Sequence, residues 1–179
     1  IDDVSTSQKG KKQTINLSPQ GAVFQQKDVS TLLSFDHIIL VAGRYEGIDD
    51  RVNRYVDREY SVGDFVVSGG EIPAILMIDA LVRHIPGVLG DPSSLEKESY
   101  SDDLLDFPHF TRPEVYDGVH VPSVLLSGDH HQITLWRQKQ RLGRTQLRRP
   151  DLLQGSKLSS EDKKLLNDYL RESGDDIKC

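Results

Sequence analysis

Apolar positions along the first half of the chain form short continuous runs, separated by stretches with helical spacing. The run HIILVAG (37–43) is rich in β-branched residues and stops at a glycine, which predicts a strand buried on both faces. QTINLS (13–18), which ends at the turn signal SPQG (18–21), and DFVVSG (64–69) predict two further short strands. Helices are predicted in three stretches: DVSTLLSF (28–35), IDDRVNRYVD (48–57) and EIPAILMIDALVRHI (71–85). Strands that alternate with helices indicate an α/β fold with a mainly parallel sheet.

The pattern changes after Gly90, where a second domain is predicted to follow a linker. The stretch DPSSLEKESYSDD (91–103) is polar and lacks periodicity, as is typical of a linker. Two helices are predicted beyond it: HQITLWRQKQRLGRT (131–145) and SSEDKKLLNDYLRES (159–173). The second helix has Ser159 or Ser160 as its N-terminal cap. We therefore expect three parts: an α/β domain at residues 1–88, a linker at 89–101 and a helical domain at 102–179.

Composition is that of a globular protein without disulfides. The chain has 179 residues, 36% of them hydrophobic, and its single cysteine is Cys179. No disulfide can form within one chain, which favours a reducing, cytoplasmic setting. The most apolar stretch, IPAILMIDALV (72–82), is short and carries Asp79, so no membrane span is predicted. The chain begins at Ile1, and we expect that a preceding part is missing.

The formal net charge of −6 argues against nucleic acid as a partner, but the charges are unevenly distributed. Residues 91–106 are predominantly acidic, with Lys97 as the single cation. Residues 131–150 carry no acidic side chain and hold the following cations: Arg137, Lys139, Arg141, Arg144, Arg148 and Arg149. An acidic segment followed by a basic one is a charge pattern that folding alone does not require.

Three loops rich in glycine or proline lie along the predicted sheet: SPQG (18–21), GRYEGIDD (43–50) and SVGDFVVSGGE (61–71). Ligands of open parallel sheets bind at the carboxyl ends of the strands, and glycine lets the backbone approach a ligand closely. One such loop alone indicates an ordinary tight turn, whereas three at one sheet edge favour a ligand pocket. None of them fits the dinucleotide-binding or P-loop pattern, so neither of those sites is predicted.

Seven blocks of sequence, in order from Leu17 to Leu153, resemble the bacterial tRNA (guanine-N1)-methyltransferase family, TrmD. They are LSPQG, GRYEGIDDRV, SVGDFVVSGGE, DALVRHIPGVLG, LLDFPHFTRPEVY, VPSVLLSGDH and LGRTQLRRPDLL. The resemblance implies a SPOUT fold: a parallel α/β sheet with a deep C-terminal trefoil knot, followed by a small helical C-terminal domain. It also implies S-adenosylmethionine-dependent methylation of N1 of guanine 37, the base 3′ of the anticodon, in tRNA.

The resemblance implies that the three loops form the knot that holds S-adenosylmethionine, with the helical domain binding tRNA. The implied cofactor-binding residues are Leu17, Ser18, Pro19, Gly43, Tyr45, Glu46, Gly47, Ser61, Val62, Gly63, Phe65, Val67, Gly69, Gly70 and Pro73. Glu46 is expected to face the cationic end of the cofactor or to hold Mg²⁺. The alternative for Glu46 is a solvated loop carboxylate.

The methyl acceptor sets a chemical requirement for the site. Guanine N1 carries a proton at neutral pH, and negative charge spreads onto O6 as that proton leaves, so a base and a fixed cation are needed. Glu98 and Arg83 match the family's base and arginine by position, although the family base is often Asp. Nearby alternatives for the base are Asp102, Asp103 and Asp106. Without the resemblance, Arg83 would be interpreted as a cation that stabilises a helix C-terminus. Glu98 would be interpreted as a solvated charge in the linker.

The basic segment is expected to bind the tRNA anticodon stem-loop. Arg137, Arg141 and Arg144 fall at i, i+4 and i+7, which predicts one cationic stripe along a helix that contacts phosphates. Trp136 is expected in the core. The remaining implied RNA-binding residues are Arg112, His130 and Arg148. The alternative is a solvated helix face.

The resemblance further implies a cytoplasmic homodimer whose active site lies at the subunit interface. The linker is then expected to become ordered only when tRNA or the cofactor binds. Two rival functions stay open at this point. One is another knotted RNA methyltransferase, acting on a ribose 2′-OH, and the other is a truncated fold that binds S-adenosylmethionine or RNA without turnover.

Overall fold

The computed structural model describes residues 9–90, 95 and 98–176. The chain divides into two compact units, Ile1–Pro92 and Ser93–Cys179, which are considered separately below. Residues 91–94, 96 and 97, which belong to the predicted linker and to the segment expected to become ordered on binding, lie outside the described residues. The functional roles of the three predicted parts stay predictions.

A three-stranded parallel sheet forms the centre of the first unit. Its strands are β1 (Lys12–Val23), β2 (His37–Ala42) and β3 (Arg58–Ser61), in the order β2-β1-β3. Ile15 lies at the middle of the sheet, opposite Leu40 on one side and Arg58 on the other. The parallel α/β arrangement predicted from the sequence is therefore confirmed for this unit.

Two α-helices and a 3₁₀ helix complete the first unit. They are α1 (Gln26–Leu32), α2 (Glu71–Val82) and the 3₁₀ helix Asp50–Tyr55. The two α-helices confirm the predicted ones, whereas the predicted helix at 48–57 is only a short 3₁₀ segment. The core consists of side chains from the sheet and from the two α-helices: Ile15, Leu17, Val29, Leu32, Tyr60, Met77 and Leu81.

Three strand predictions need correction. The segment 64–69 is not a strand, and Val66 within it is 83% exposed; the third strand is the more polar REYS of β3. β1 does not stop at the predicted turn, because it continues to Val23 with a shift of register against β3 between Leu17 and Ala22. β2 is half-buried, since it lies at an edge of the described sheet.

The second unit contains a β-hairpin and three helices. The hairpin pairs β4 (Val115–Tyr116) with β5 (Val119–His120). The helices are α3 (Ser123–Leu126), α4 (His130–Arg148) and α5 (Ser160–Asp176), with a 3₁₀ helix at Pro150–Leu153. The hairpin turn is Asp117-Gly118, both with positive φ, which is the signature of a two-residue turn in the sequence VYDGVH.

The two long helices of this unit confirm the sequence prediction, and each has a side-chain cap. Asp129 accepts hydrogen bonds from the backbone N–H groups of His131 and Gln132 at the start of α4. Ser159, not Ser160, caps α5, because its hydroxyl accepts from the N–H of Asp162 at 3.0 Å. In the described part of the chain, no helix is both long and apolar enough to cross a membrane.

Candidate functional site

One cleft of about 390 Å³ in the first unit is lined by residues 16–20, which lie within β1, and by the loops that follow β2 and β3. Parallel strands end at the same sheet edge, which brings their following loops together. All the cofactor-binding residues implied by the resemblance line this cleft except Gly63: Leu17, Ser18, Pro19, Gly43, Tyr45, Glu46, Gly47, Ser61, Val62, Phe65, Val67, Gly69, Gly70 and Pro73. Their contact with a cofactor stays a prediction.

Two of the loops are joined directly by their backbones. The N–H of Gly70 donates to the carbonyl of Gly43 at 2.8 Å, and Arg44 and Gly69 form an antiparallel bridge. A Cβ atom on Gly70 would lie 2.7 Å from Cα of Ala42, too close for any side chain. Gly70 is therefore required by the approach of two chain segments, which is a different reason from the ligand access expected from the sequence.

Gly63 lies outside the cleft lining and shapes the turn before Phe65. Its N–H donates to Oγ of Ser61, and the same hydroxyl donates to the Gly63 carbonyl at 2.9 Å. Its φ of +148° is strained for any residue with a side chain, and a Cβ would lie 2.6 Å from the Phe65 ring. Gly63 thus allows the turn that puts Phe65 into the cleft wall.

An ion pair ties the second loop to the start of α2. Nε of Arg44 donates to Oε1 of Glu71, and both side chains are largely exposed. The hydrogen bond from Arg44 holds the pKa of Glu71 below its usual value, and the same bond raises the pKa of Arg44. Because solvent screens such a pair, its effect is on the position of the loop more than on stability.

The floor of the cleft contains a polar pair that the sequence did not suggest. Asn16 on β1 and Glu59 on β3 are paired in the parallel register, and Nδ2 of Asn16 donates to Oε1 of Glu59 at 2.9 Å. Within the described residues, Oδ1 of Asn16 is a buried acceptor without a hydrogen-bond donor. Glu59 therefore satisfies only the amide nitrogen of this buried side chain.

Glu46 and Tyr45 lie together on the rim of the cleft. Tyr45 is 97% exposed and has a φ of +64°, a conformation that costs free energy for a non-glycine residue and is common at functional sites. Among the described residues, no group of three or more His, Cys, Asp or Glu side chains could hold a metal ion. Within the part of the chain that the structure describes, Glu46 thus has no partner carboxylates or imidazoles with which to hold the expected Mg²⁺.

Arg83 and Glu98 belong to different units, so their pairing stays a prediction. Arg83 is the half-buried residue that ends α2. Glu98 is half-buried and precedes a tight turn, in which the N–H and hydroxyl of Ser101 both donate to its carbonyl. Of the alternative bases, Asp102 is engaged in an ion pair with Arg141.

The predicted cationic stripe on α4 is not uniformly exposed. Arg141 is buried and paired with Asp102, so its guanidinium does not face solvent, and its contact with RNA stays a prediction. Arg137 is half-buried over the ring of Phe107 at 4.7 Å, and its Nε has no hydrogen-bond acceptor among the described residues. Arg144 is half-buried.

The remaining RNA-binding candidates are exposed: Arg112, His130 and Arg148. Arg112 and Arg137 line a second cleft of about 1,010 Å³, within the second unit. Trp136 is half-buried beside Phe110, with ring centroids 6.3 Å apart. The second cleft thus combines two cations with the aromatic rings of Phe107 and Phe110.

Comparison with known proteins relates most of the chain to one family. The family model of the tRNA (guanine-1)-methyltransferase TrmD matches residues 1–155. A tRNA (guanine-N(1)-)-methyltransferase of Stutzerimonas stutzeri strain A1501 is 52% identical over 174 residues, which are 97% of this chain and 70% of that protein. Proteins of the same name from Pseudomonas fluorescens strain Pf-5 and Aliivibrio fischeri strain MJ11 are 56% and 52% identical, over 90% and 94% of this chain.

The chain spans 65 to 70% of the length of these curated relatives. The family match covers the whole of the first unit, including the cleft, and the second unit as far as residue 155. With more than half of the chain matched and identities above 50%, the chain belongs to the tRNA (guanine-1)-methyltransferase TrmD family of enzymes.

Proposed function

We propose that this chain methylates N1 of guanine 37, the base 3′ of the anticodon in tRNA, with S-adenosylmethionine as the donor. The observation that carries the proposal is the convergence of a β1 segment and two loops on one cleft, at the positions the family motifs occupy. Membership of the family supports the reaction class. Because its substrate is tRNA, the protein acts in the cytoplasm.

The cleft fits S-adenosylmethionine in size and in chemistry. Its volume of about 390 Å³ lies within the range of roughly 300–1,000 Å³ for small-molecule sites. Leu17 and Phe65 supply apolar surface for an adenine ring, while Glu46 and Glu59 supply carboxylates for the cationic groups.

The close backbone crossing at the cleft supports the deep trefoil knot of the SPOUT fold. Residues 42–44 contact residues 69 and 70 through a hydrogen bond and a β-bridge. At that crossing only a glycine fits at position 70. The proposed knot would fix the loops before the cofactor arrives, so that little ordering entropy opposes binding.

The chain's own residues prepare the acceptor base for transfer. S-adenosylmethionine supplies the methyl group when bound. Glu98 takes the proton from guanine N1, and the Arg83 guanidinium stabilises the negative charge that develops on O6. The reaction requires both units, since Arg83 lies in the first and Glu98 in the second. The target base must leave its stack to reach these groups.

The second cleft is proposed as part of the tRNA-binding surface. Arg137 and Arg112 both line it, and guanidinium groups form charge-assisted hydrogen bonds with phosphate oxygens. His130, Arg144 and Arg148 extend this surface along α4. Arg141 is not included, because its guanidinium is buried against Asp102.

Replacement of Arg137 by glutamine is expected to raise the Kd for tRNA and to reduce the salt dependence of binding. Loss of one phosphate contact lowers the slope of log K against log salt by about one. The measurement is tRNA binding at several salt concentrations. Lys164→Gln removes an exposed cation from α5 and should leave the slope unchanged. Equal slopes for Arg137→Gln and the unmodified protein would exclude a phosphate contact.

A homodimer is proposed because α2 exposes apolar side chains on the face opposite the core. Met77 and Leu81 are buried in the core, whereas Ile75 is 66% exposed. Other exposed apolar residues of α2 are Ile72, Leu76 and Ile78. A contiguous apolar surface of this kind on a soluble protein indicates a contact with another chain. The occupant we propose is α2 of a second copy, as the family resemblance implies.

Replacement of Ile75 by aspartate is expected to convert the dimer to a monomer and to abolish methyl transfer. A charge at the centre of an apolar interface would be buried without a partner. Sedimentation velocity gives the mass, and Val119→Asp is the control because Val119 is 70% exposed in the second unit. A monomeric unmodified protein with full activity would contradict the dimer proposal.

Mapping of the methylated nucleoside tests the function. The purified protein is incubated with methyl-labelled S-adenosylmethionine and unmethylated tRNA, which is then digested and analysed by mass spectrometry. We expect 1-methylguanosine from position 37. A 2′-O-methylated nucleoside would instead indicate a different knotted methyltransferase, and cofactor binding without any product would indicate a binding fold.

A further inference from the structure

Three side chains, spaced about one turn apart on α4 and directly after it, contact the segment that begins at Glu98. This segment, residues 98–107, is called the carboxylate loop below. The three side chains are those of Arg141, Thr145 and, at the end of the helix, Arg149. Each contacts a different part of the carboxylate loop, so the loop is attached to the helix at several points.

The first attachment is an ion pair between the buried guanidinium of Arg141 and the exposed carboxylate of Asp102. The guanidinium of Arg141 makes two hydrogen bonds to the carboxylate of Asp102, one of them 2.9 Å long from Nη1 to Oδ2. The Arg141 side chain is 8% exposed, and Gln138 is its other hydrogen-bond partner. A buried guanidinium that loses its carboxylate is strongly unfavourable, so this pair fixes the loop against the helix.

The second attachment is a single buried hydroxyl with two hydrogen bonds. Oγ1 of Thr145 accepts from the N–H of Leu105 at 2.9 Å and donates to the carbonyl of Arg141 at 2.7 Å. Thr145 is fully buried. The third attachment is Arg149, whose guanidinium lies 5.8 Å from the centroid of the Tyr100 ring.

Hydrogen bonds within the carboxylate loop connect the attached residues to Glu98. The N–H and hydroxyl of Ser101 donate to the Glu98 carbonyl at 3.3 and 2.8 Å. The N–H of Tyr100 donates to the carbonyl of Leu104 at 2.8 Å, and the N–H of Asp106 donates to Oγ of Ser99. Leu104 and Phe107 are buried. The loop is thus one closed unit, and displacement of its centre displaces Glu98.

We propose that Arg141 and Thr145 are positioning residues that hold Glu98 in its catalytic orientation through the carboxylate loop. The inference rests on the proposed function, in which Glu98 is the base. It assigns Arg141 a role within the protein, whereas its place in the basic segment suggested a contact with RNA. A displacement of about 1 Å in a catalytic group lowers the rate by as much as roughly 10²-fold.

A phosphate contact by Arg141 and a positioning role for Arg141 predict different changes in kcat and in KM for tRNA. A phosphate contact acts on tRNA binding, so its loss raises KM for tRNA, with a reduced salt dependence, and leaves kcat near its original value. A positioning residue acts on the transfer step, so its loss lowers kcat and leaves KM for tRNA near its original value. The burial of the Arg141 guanidinium, with its two hydrogen bonds to Asp102, favours the second outcome.

Thr145 provides a matched pair of variants. Thr145→Val keeps the size of the side chain and removes both hydrogen bonds, whereas Thr145→Ser retains the hydroxyl. We expect kcat to fall by about 10- to 100-fold for Thr145→Val and to stay close to the original for Thr145→Ser. Arg141→Gln and Asp102→Asn should lower kcat to a similar extent, with KM for tRNA changed by less than about twofold. Equal kcat for the two Thr145 variants, or a raised KM for tRNA with normal kcat in Arg141→Gln, would overturn the proposal.

Hydrogen exchange of the Leu105 amide gives a readout that does not depend on activity. The amide should be protected in the unmodified protein and in Thr145→Ser, and should exchange faster in Thr145→Val. Unchanged protection in Thr145→Val would show that the hydroxyl does not hold the loop. If the unmodified protein transfers no methyl group, the proposed function fails, and the exchange measurement still decides whether α4 holds the carboxylate loop.

Discussion

Replacement of Glu98 by glutamine is expected to lower the rate of methyl transfer by about 10²- to 10⁴-fold, the usual contribution of a general base. An amide of the same size keeps the contacts of the side chain and cannot accept the proton of guanine N1. Binding of S-adenosylmethionine should be unchanged, because the cleft lies in the first unit. Single-turnover transfer of a labelled methyl group to tRNA measures the rate, and calorimetry measures cofactor binding.

Asp103→Asn is the matched control for this experiment. Asp103 is an exposed carboxylate in the same loop, with a φ of +62°, a conformation that asparagine also tolerates. Its amide variant should transfer methyl groups at close to the original rate. A normal rate for Glu98→Gln together with a large loss for Asp106→Asn would instead identify Asp106 as the base. Asp102→Asn cannot decide this question, because Asp102 also pairs with Arg141.

Helices were predicted well because their signals are local. α2, α4 and α5 each combine a long apolar pattern with recognisable ends, such as Asp129 before α4. β3 was missed because REYS is mostly polar, and its pairing with β1 is a long-range contact. The sequence instead predicts a strand at DFVVSG (64–69), because that segment is apolar. In the structure, Phe65 and Val66 of this segment line the cleft.

The candidate site was predictable only as far as its motifs are continuous in sequence. Loop residues such as Gly43 and Gly69 lie in distinctive blocks, and the structure brings these blocks into one cleft. Asn16 and Glu59 become neighbours through strand register, which no local pattern encodes. Helical spacing placed Arg141 on a stripe but could not decide whether that stripe faces solvent or the carboxylate loop.

Replacement of Gly70 by alanine is expected to destabilise the first unit by about 1–3 kcal/mol and to weaken S-adenosylmethionine binding. The added Cβ would lie 2.7 Å from Cα of Ala42 and 3.0 Å from the backbone nitrogen of Gly43. Backbone atoms cannot rotate away, so the two loops must separate. Because Gly43 and Gly70 both line the cleft, the cofactor site should widen as well. Thermal unfolding and calorimetric titration with the cofactor measure the two effects.

The neighbouring glycine provides the control for this prediction. A Cβ on Gly69 would lie 2.4 Å from Oε2 of Glu71, the far end of a flexible side chain, and 3.1 Å from Cγ of Arg44. Since the exposed Glu71 carboxylate can move, Gly69→Ala should cost only about 0.5 kcal/mol or less. If instead Gly69→Ala were the more destabilising variant, contact between the loop backbones would not be what requires glycine here. If both variants fold stably but neither binds the cofactor, the glycines would serve ligand access, as the sequence alone suggested.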